Sequence, residues 1–305
     1  MSKTCVILNP AARSERARRW EKQLRTMCGD VFFCATVGAG DAEHRARTAV
    51  ADGFDRIVAA GGDGTINEVV NGIAGSDAAL GLMPMGTMNV FASELGLPAN
   101  DLGRCWDIIR GGRTRLIDLP TANKKHFVQL AGVGLDAQVV KETSLTLKRN
   151  FGPLSYLISA AQIAGRRPPR LLIESEDAVT EEGSFVLVGN GRLYGGPFPF
   201  FKHAVIDDGL LDVLVFKQIG YIELIKYLQN VIFTSDITTR EVEYFQTSRL
   251  RVTSADDVPV ELDGELAGSC PVEFEMQPRR LKVLAPPLAI HTSSDLSRER
   301  IFDSQ

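Results

Sequence analysis

Apolar positions in the first 120 or so residues fall into short continuous runs separated by stretches with helical spacing, the alternation expected of βαβ units. Cys5–Leu8 reads as a strand ending at Asn9-Pro10. Glu15–Cys28 reads as a helix, with Ala17, Trp20, Leu24, Met27 and Cys28 on one face and Gly29 at its end. Val31–Thr36 forms a second strand, and Asp41 caps a helix running to Gly53. Arg56–Ala60 has the composition of a buried parallel strand. Ile66, Val69, Val70 and Ile73 then recur at helical spacing up to Gly75. Leu80–Met83, a helix around Asn89–Leu95 and another around Leu102–Arg110 continue the alternation. The expectation for this half is an α/β layer with a parallel sheet.

Beyond Arg113 the texture changes. Leu116–Leu119, Phe127–Ala131, Leu171–Glu174, Phe185–Gly189, Leu211–Phe216, Arg249–Thr253, Val258–Leu262 and Val272–Met276 are short, often alternating runs between turn residues. Such a pattern predicts an all-β, sandwich-like second domain, interrupted by helices at Leu154–Ala164 and Tyr221–Phe233. The hinge is expected near Thr121–Lys124, and the sequence turns mixed and polar after Pro287.

Composition narrows the class without naming a function. The 305 residues are 44% hydrophobic and 24% charged, enough apolar material for a packed core and too much for a disordered chain. Lys and Arg number 34 against 38 Asp and Glu, a net charge of −4, which argues against a general nucleic-acid binder. The five cysteines are scattered and the four histidines stand alone, so neither a disulfide framework nor a zinc site is expected. With no signal-like N-terminus and no long apolar span, the expected location is the cytoplasm.

One segment carries chemistry. Gly61-Gly62-Asp63-Gly64-Thr65 lies between a strand and a helix start. Glycines there allow close backbone approach, and the helix N-terminus offers unpaired N–H groups to an anion. The segment therefore reads as a phosphate cradle. It lacks the Gly-Lys-Ser/Thr of a P-loop and the G-x-G-x-x-G of a dinucleotide fold. The alternative is an ordinary strand-to-helix turn with Asp63 as a cap.

The longer string Gly61–Gly72, GGDGTINEVVNG, resembles the signature of the diacylglycerol kinase catalytic domain family, which includes sphingosine, ceramide and bacterial lipid kinases. Asn9-Pro10, Thr36, the PMGTMNVFA segment from Pro84 to Ala92, DDGLLD from Asp207 to Asp212, and Asp263-Gly264-Glu265 resemble further family segments in the same order. The resemblance implies an α/β nucleotide-binding domain over residues 1–122, a β-sandwich-like lipid or substrate domain over 123–286, and a tail, 287–305, returning to the first. Position by position it implies a nucleotide site of Asn9, Thr36, Gly62, Asp63, Gly64, Thr65, Ile66, Asn67, Glu68 and Thr87. It implies Glu265 as the base that takes the proton of the acceptor hydroxyl. It implies Mg²⁺ held by Asp208 with the carbonyls of Val205 and Leu210, and Asp207 and Asp63 in the acidic network of a catalytic site using ATP and Mg²⁺. Position 90 is valine where many family members carry an acidic residue.

The activity implied is ATP-dependent phosphorylation of a hydroxyl on a diacylglycerol-like or sphingoid lipid. Its partner would be a lipid at a membrane surface, touched transiently from the cytoplasmic side, with a homodimer left open. Phe198, Phe200 and Phe201 are candidates for lining an acyl-chain cleft or inserting at the membrane interface, the alternative being core filling of the β domain; Arg166-Arg167-Pro168-Pro169-Arg170 is a basic cluster that reads first as a solvated loop. Two rivals stand beside this reading: a kinase of a soluble substrate such as NAD, and a catalytically weak nucleotide- and lipid-binding regulator, the latter motivated by Val90.

Overall fold

A computed structural model describes residues 2–10, 22–24, 26–29, 31–134, 167–177, 180–196, 198–217 and 241–287. The first unit runs β1 (Thr4–Leu8), β2 (Phe32–Ala35), α1 (Asp41–Ala51), β3 (Arg56–Gly61), α2 (Asp63–Ile73), β4 (Ala79–Pro84), α3 (Val90–Glu94), α4 (Leu102–Gly111) and β5 (Thr114–Ile117). Its sheet has the order β2-β1-β3-β4-β20-β5, where β20 is Leu281–Leu284. All neighbours are parallel except β5, which runs against β20. The central strands are apolar runs because helices cover both faces of a parallel sheet; β3 and β4 are buried almost throughout.

Two points differ from the sequence reading. The run at Leu116–Leu119 does not open the second domain: residues 114–117 pair with β20 in the first sheet. The chain is also back in the first sheet by residues 281–284, inside the span 123–286 expected for the second domain. Residues 288–305 lie outside the described residues, as do the helices expected at 154–164 and 221–233 and most of that at 15–28, of which 22–24 and 26–28 are helical.

The remaining strands form a sandwich. One sheet is ordered β10 (Thr180–Gly183), β9 (Leu171–Ser175), β16 (Arg249–Ser254), β19 (Val272–Glu275), β6 (Thr121–Ala122), β7 (Lys125–His126). The other is β15 (Val242–Thr247), β14 (Leu211–Phe216), β11 (Phe185–Gly189), β8 (Leu130–Val133), β17 (Pro259–Leu262), β18 (Glu265–Ser269). Every pairing within them is antiparallel. β9, β16 and β19 alternate buried and exposed residues, so one face of their sheet is wet. Ile173, Val188, Val213, Val252, Val260 and Phe274 from both sheets share one core. A small ribbon, β12 (Leu193–Tyr194) with β13 (Phe198–Pro199), stands apart.

Two segments cross between the units side by side, 118–121 outward and 276–280 back. Leu119 N donates to Gln277 O (3.0 Å), and Arg279 N to the fully buried Asp118 carboxylate (2.6 Å).

Candidate active site

The chain leaves β1 toward β2 on one side and later enters β3 on the other, so the carboxyl ends of β1 and β3 border the crevice where open α/β sheets take ligands. Asn9 ends β1 there, and Gly61-Gly62 end β3. Gly62 is extended (φ −90°, ψ −175°) and Asp63 opens α2. The N–H groups of that first turn have no acceptor within the helix, by helical geometry. Asn9 Nδ2 donates to Thr65 Oγ1 (2.9 Å), and Thr36 N to Leu8 O (2.8 Å), which fixes the strand ends around the turn.

A second loop lies against the first. Met85 N donates to Gly61 O (2.8 Å). A Cβ on Gly86 would stand 2.6 Å from Gly62 Cα, and one on Gly62 would be 3.3 Å from Gly86 Cα, so the two backbones touch because neither residue has a side chain. Asn89 is buried in the left-handed region (φ 49°) and staples the loop: its Oδ1 accepts from Gly86 N (2.9 Å), and its Nδ2 donates to Gly86 O (3.0 Å). Thr87 is exposed at the tip.

The residues that follow the glycines point in different directions. Asp63 Oδ1 accepts from Phe91 N (3.4 Å), so its carboxylate caps α3; burial pushes its pKa up against the lowering effect of the Val90, Phe91 and Asn89 amides. Ile66 is wholly buried in the core. Glu68 accepts from Gly40 N (2.8 Å) and Ala42 N (3.0 Å), capping α1, whose N-cap residue Gly40 has no side chain to do so. Asp41, the expected cap, is instead the first helical residue and pairs with Arg45 (2.8 Å). Asn67 is buried and turned toward the sandwich, where its Nδ2 donates to Asp263 Oδ2 (2.7 Å) and His126 O (3.2 Å). The structure thus gathers Asn9, Thr36, Gly62, Gly64, Thr65 and Thr87 around the cradle. The side chains of Ile66, Asn67 and Glu68 are spent elsewhere, and that of Asp63 on the second loop.

The sandwich sends one hairpin to this place. Asp263 (φ 49°) and Gly264 (φ 86°) make the two-residue turn between β17 and β18, as Asp-Gly does when both central residues need positive φ. Glu265 follows, exposed, and a Cβ on Gly64 would come within 2.8 Å of its Oε1. The Glu265 carboxylate therefore lies over the first turn of α2. Asp263 holds the hairpin: Oδ2 accepts from Asn67 Nδ2 and Val128 N (2.8 Å), and Oδ1 from Gln129 N (2.9 Å) and Leu130 N (3.0 Å). Burial pushes the Asp263 carboxyl up; those four donors pull it back. Asn71 adds a strand-like pairing with His126, accepting from its N (3.0 Å) and donating to its O (3.0 Å). Asp263 and Asn71 lie inside the D-G-E and GGDGTINEVVNG segments without a role of their own in the sequence, and Asp118 lies in neither, though Asp-Gly between apolar runs is a hairpin signal.

The Val205–Leu210 loop is a tight turn. Asp208 N donates to Val205 O (3.3 Å), Leu210 N to Asp208 Oδ1 (3.0 Å), and Gly209 N to Asp118 Oδ2 (2.6 Å). Burial and the nearby carboxylates of Asp118 and Asp207 raise the pKa of Asp208. One side-chain carboxylate with backbone carbonyls in an acidic loop is a hard oxygen donor set that suits Mg²⁺. Among the described residues no three His, Cys, Asp or Glu side chains converge on a metal position, so carbonyls would have to complete the set. Behind the loop, buried Asp212 accepts from Tyr244 OH and from Gln246 Nε2 (3.3 Å), and burial raises its carboxyl to about 6. Of the three phenylalanines, Phe200 and Phe201 are buried core and Phe198 is half-buried, so two of them line no cleft. Arg170 is exposed beside Glu182 (3.1 Å).

A glycine-rich turn and helix N-terminus at the switch point of a parallel sheet, able to take an anion, thus face a carboxylate from the β-sandwich. Residues 3–122 match the diacylglycerol kinase catalytic domain family, and residues 129–285 match the YegS C-terminal NAD kinase beta sandwich-like domain. The diacylglycerol kinase of Bacillus subtilis (strain 168) is 33% identical over 294 residues, covering 94% of this chain and 97% of that protein. That of Staphylococcus aureus (strain MRSA252) is 32% identical over 290 residues, covering 92% and 91%. The crystal structure of a diacylglycerol kinase from Bacillus anthracis str. Sterne superposes with a TM-score of 0.76 at 25% identity, covering 95% of this chain and 98% of that one. The chain belongs to the diacylglycerol kinase family of lipid kinases. No helix among the described residues is long and apolar enough to cross a membrane.

Proposed function

We propose that this protein is an ATP-dependent lipid kinase that phosphorylates a hydroxyl of a diacylglycerol-like or sphingoid lipid. The observation that carries the reading is the Glu265 carboxylate over Gly64: a carboxylate from one unit stands at the glycine-rich turn of the other. ATP with Mg²⁺, when bound, supplies the transferable phosphoryl group and offsets its charge. The α2 first turn and the Gly86 loop hold the phosphates through backbone N–H groups, with Asn9, Thr36 and Thr87 at the rim. Glu265 accepts the proton of the attacking hydroxyl, a role worth about 10²–10⁴-fold in rate. Asp208 with the Val205 and Leu210 carbonyls holds structural Mg²⁺, and Asp63 and Asp207 shape the acidic surroundings. The lipid is reached by transient contact with the cytoplasmic face of a membrane.

Transfer of labelled phosphate from ATP tests the reading, with diacylglycerol, sphingoid bases and NAD as acceptors. Label in the lipid phase is expected. Labelled dinucleotide would favour a soluble substrate, in line with the likeness of the second unit to the NAD kinase sandwich, and nucleotide binding without turnover would favour a regulator.

A further inference from the structure

Helix α2 has two ends of one job on a single face. Gly64, Asn67 and Asn71 follow at intervals of three and four, so they line one side of the helix. Gly64 lies beneath Glu265, Asn67 binds Asp263, and Asn71 pairs with His126. Asp263 and Glu265 are in turn two residues apart around the Gly264 turn. The spacing on the helix therefore matches the spacing on the hairpin, and the same helix that presents the phosphate cradle grips the turn that carries the carboxylate.

The partition of bonds is informative. Three of the four donors to Asp263, the amides of Val128, Gln129 and Leu130, belong to the segment entering β8, within the sandwich sequence. Among the described residues only Asn67 reaches it from the α/β unit, at 2.7 Å and buried. Loss of the Asn67 amide would leave the hairpin formed but release it from the helix. Both hydrogens of Asn67 Nδ2 are used, on Asp263 and on His126 O, and Asn67 Oδ1 accepts from Asn71 Nδ2 (3.1 Å), so the amide is locked in orientation.

We propose that Asn67 and Asp263 form a cross-unit latch that positions Glu265 over the phosphate cradle, making both of them positioning residues for phosphoryl transfer. The latch rests on the reading of Glu265 as the base. It acts on kcat through the placement of Glu265 and leaves nucleotide affinity alone, because neither side chain faces the cradle.

A double-mutant cycle on the full chain tests this, with turnover, KM for ATP and melting temperature measured on each preparation. Asn67→Ala is expected to lower kcat by about 10–100-fold, the scale of a small misplacement of a reacting group, with KM for ATP within about twofold. In a Glu265→Gln background the same substitution is expected to change the residual kcat by less than about twofold, since a residue acting through Glu265 has nothing left to position. Asn67→Ser, which keeps polarity in the buried seam but cannot reach Asp263, goes through the same cycle and guards against an unfolded Asn67→Ala. An equal loss of kcat in both backgrounds, or a loss confined to KM for ATP, overturns the latch while leaving Glu265 in place. A Glu265→Gln enzyme with parental turnover overturns the base itself, and the latch with it.

Discussion

Glu68 lies inside the most recognisable motif of the chain, yet both its oxygens serve a neighbouring helix. Glu68→Ala removes the acceptor for Gly40 N at 2.8 Å and Ala42 N at 3.0 Å, and it removes a negative charge from the N-terminus of α1. Gly40 cannot substitute, having no side chain, and Asp41 is already engaged by Val37 N and Arg45. Losing a capping side chain costs about 0.5–2 kcal/mol, and a charged acceptor of two amides belongs in the upper half of that range. At about 2–4 °C per kcal/mol for a unit of this size, the melting temperature should fall by roughly 2–8 °C. Glu68→Gln keeps one acceptor oxygen and should lose about half as much. Thermal melting by circular dichroism, paired with titration calorimetry of ATP, separates the two roles of Glu68. The structural role predicts a lower melting temperature, faster amide exchange at residues 40–44 and an unchanged ATP affinity. Unaltered melting with lost ATP affinity would refute it and return Glu68 to the nucleotide site.

Other perturbations give equally plain outcomes. Gly62→Val places a branched side chain 3.3 Å or less from Gly86 Cα and should abolish ATP binding measured by calorimetry while the far-ultraviolet spectrum stays native; normal affinity would remove the loop from the phosphate site. Val90→Asp adds a carboxylate at the residue whose amide faces Asp63, whose pKa burial already raises, so the melting temperature should drop by several degrees at pH 8 and by progressively less as falling pH protonates the pair; a drop independent of pH would contradict this. Burial holds His126 below its usual pKa, so its neutral form is favoured in the fold and the associated stability, full above about pH 6.5, is lost as pH falls through that region. His126→Gln should therefore flatten the decline in melting temperature between pH 7 and pH 5, and an undiminished slope would place the sensitivity elsewhere.

The α/β layer was legible because parallel strands buried on both faces leave continuous apolar runs, and because α2 and α4 carry clear helical spacing. β20 was not, since Leu281–Leu284 is four residues long and its partners β4 and β5 lie some 165–200 residues earlier. Thr114–Ile117 reads as half-exposed, which suits an edge strand of either unit, and nothing local decides between them. In the site, the glycines announced the cradle. The residues after them were harder to place, because each step along a helix turns the side chain by about 100°. Ile66, Asn67 and Glu68 consequently face the core, the sandwich and α1, although they adjoin in sequence. Asp263 reads from sequence only as the first residue of the D-G-E turn, because a turn aspartate and a four-donor hub look identical until the partners of its oxygens are known.

The position of β20 also bears on how the protein can be made. Among the described residues β5 has no strand partner other than β20, and β20 occupies the flank of β4, so the first sheet is two strands short until residue 284 has been added. A nascent chain leaves the ribosome at about 5–20 residues per second, and the wait between β5 and β20 is on the order of ten seconds or more. Through that interval β4 presents an apolar, unpaired edge of the kind that recruits other chains. A product ending anywhere between residue 92 and β20 has every residue of the glycine loops and no complete sheet to carry them. Expression of residues 1–122 alone is accordingly a poor route to a nucleotide-binding fragment, whereas a permuted chain that splices 280–286 onto residue 113 or precedes residue 114 would supply the missing strand in place.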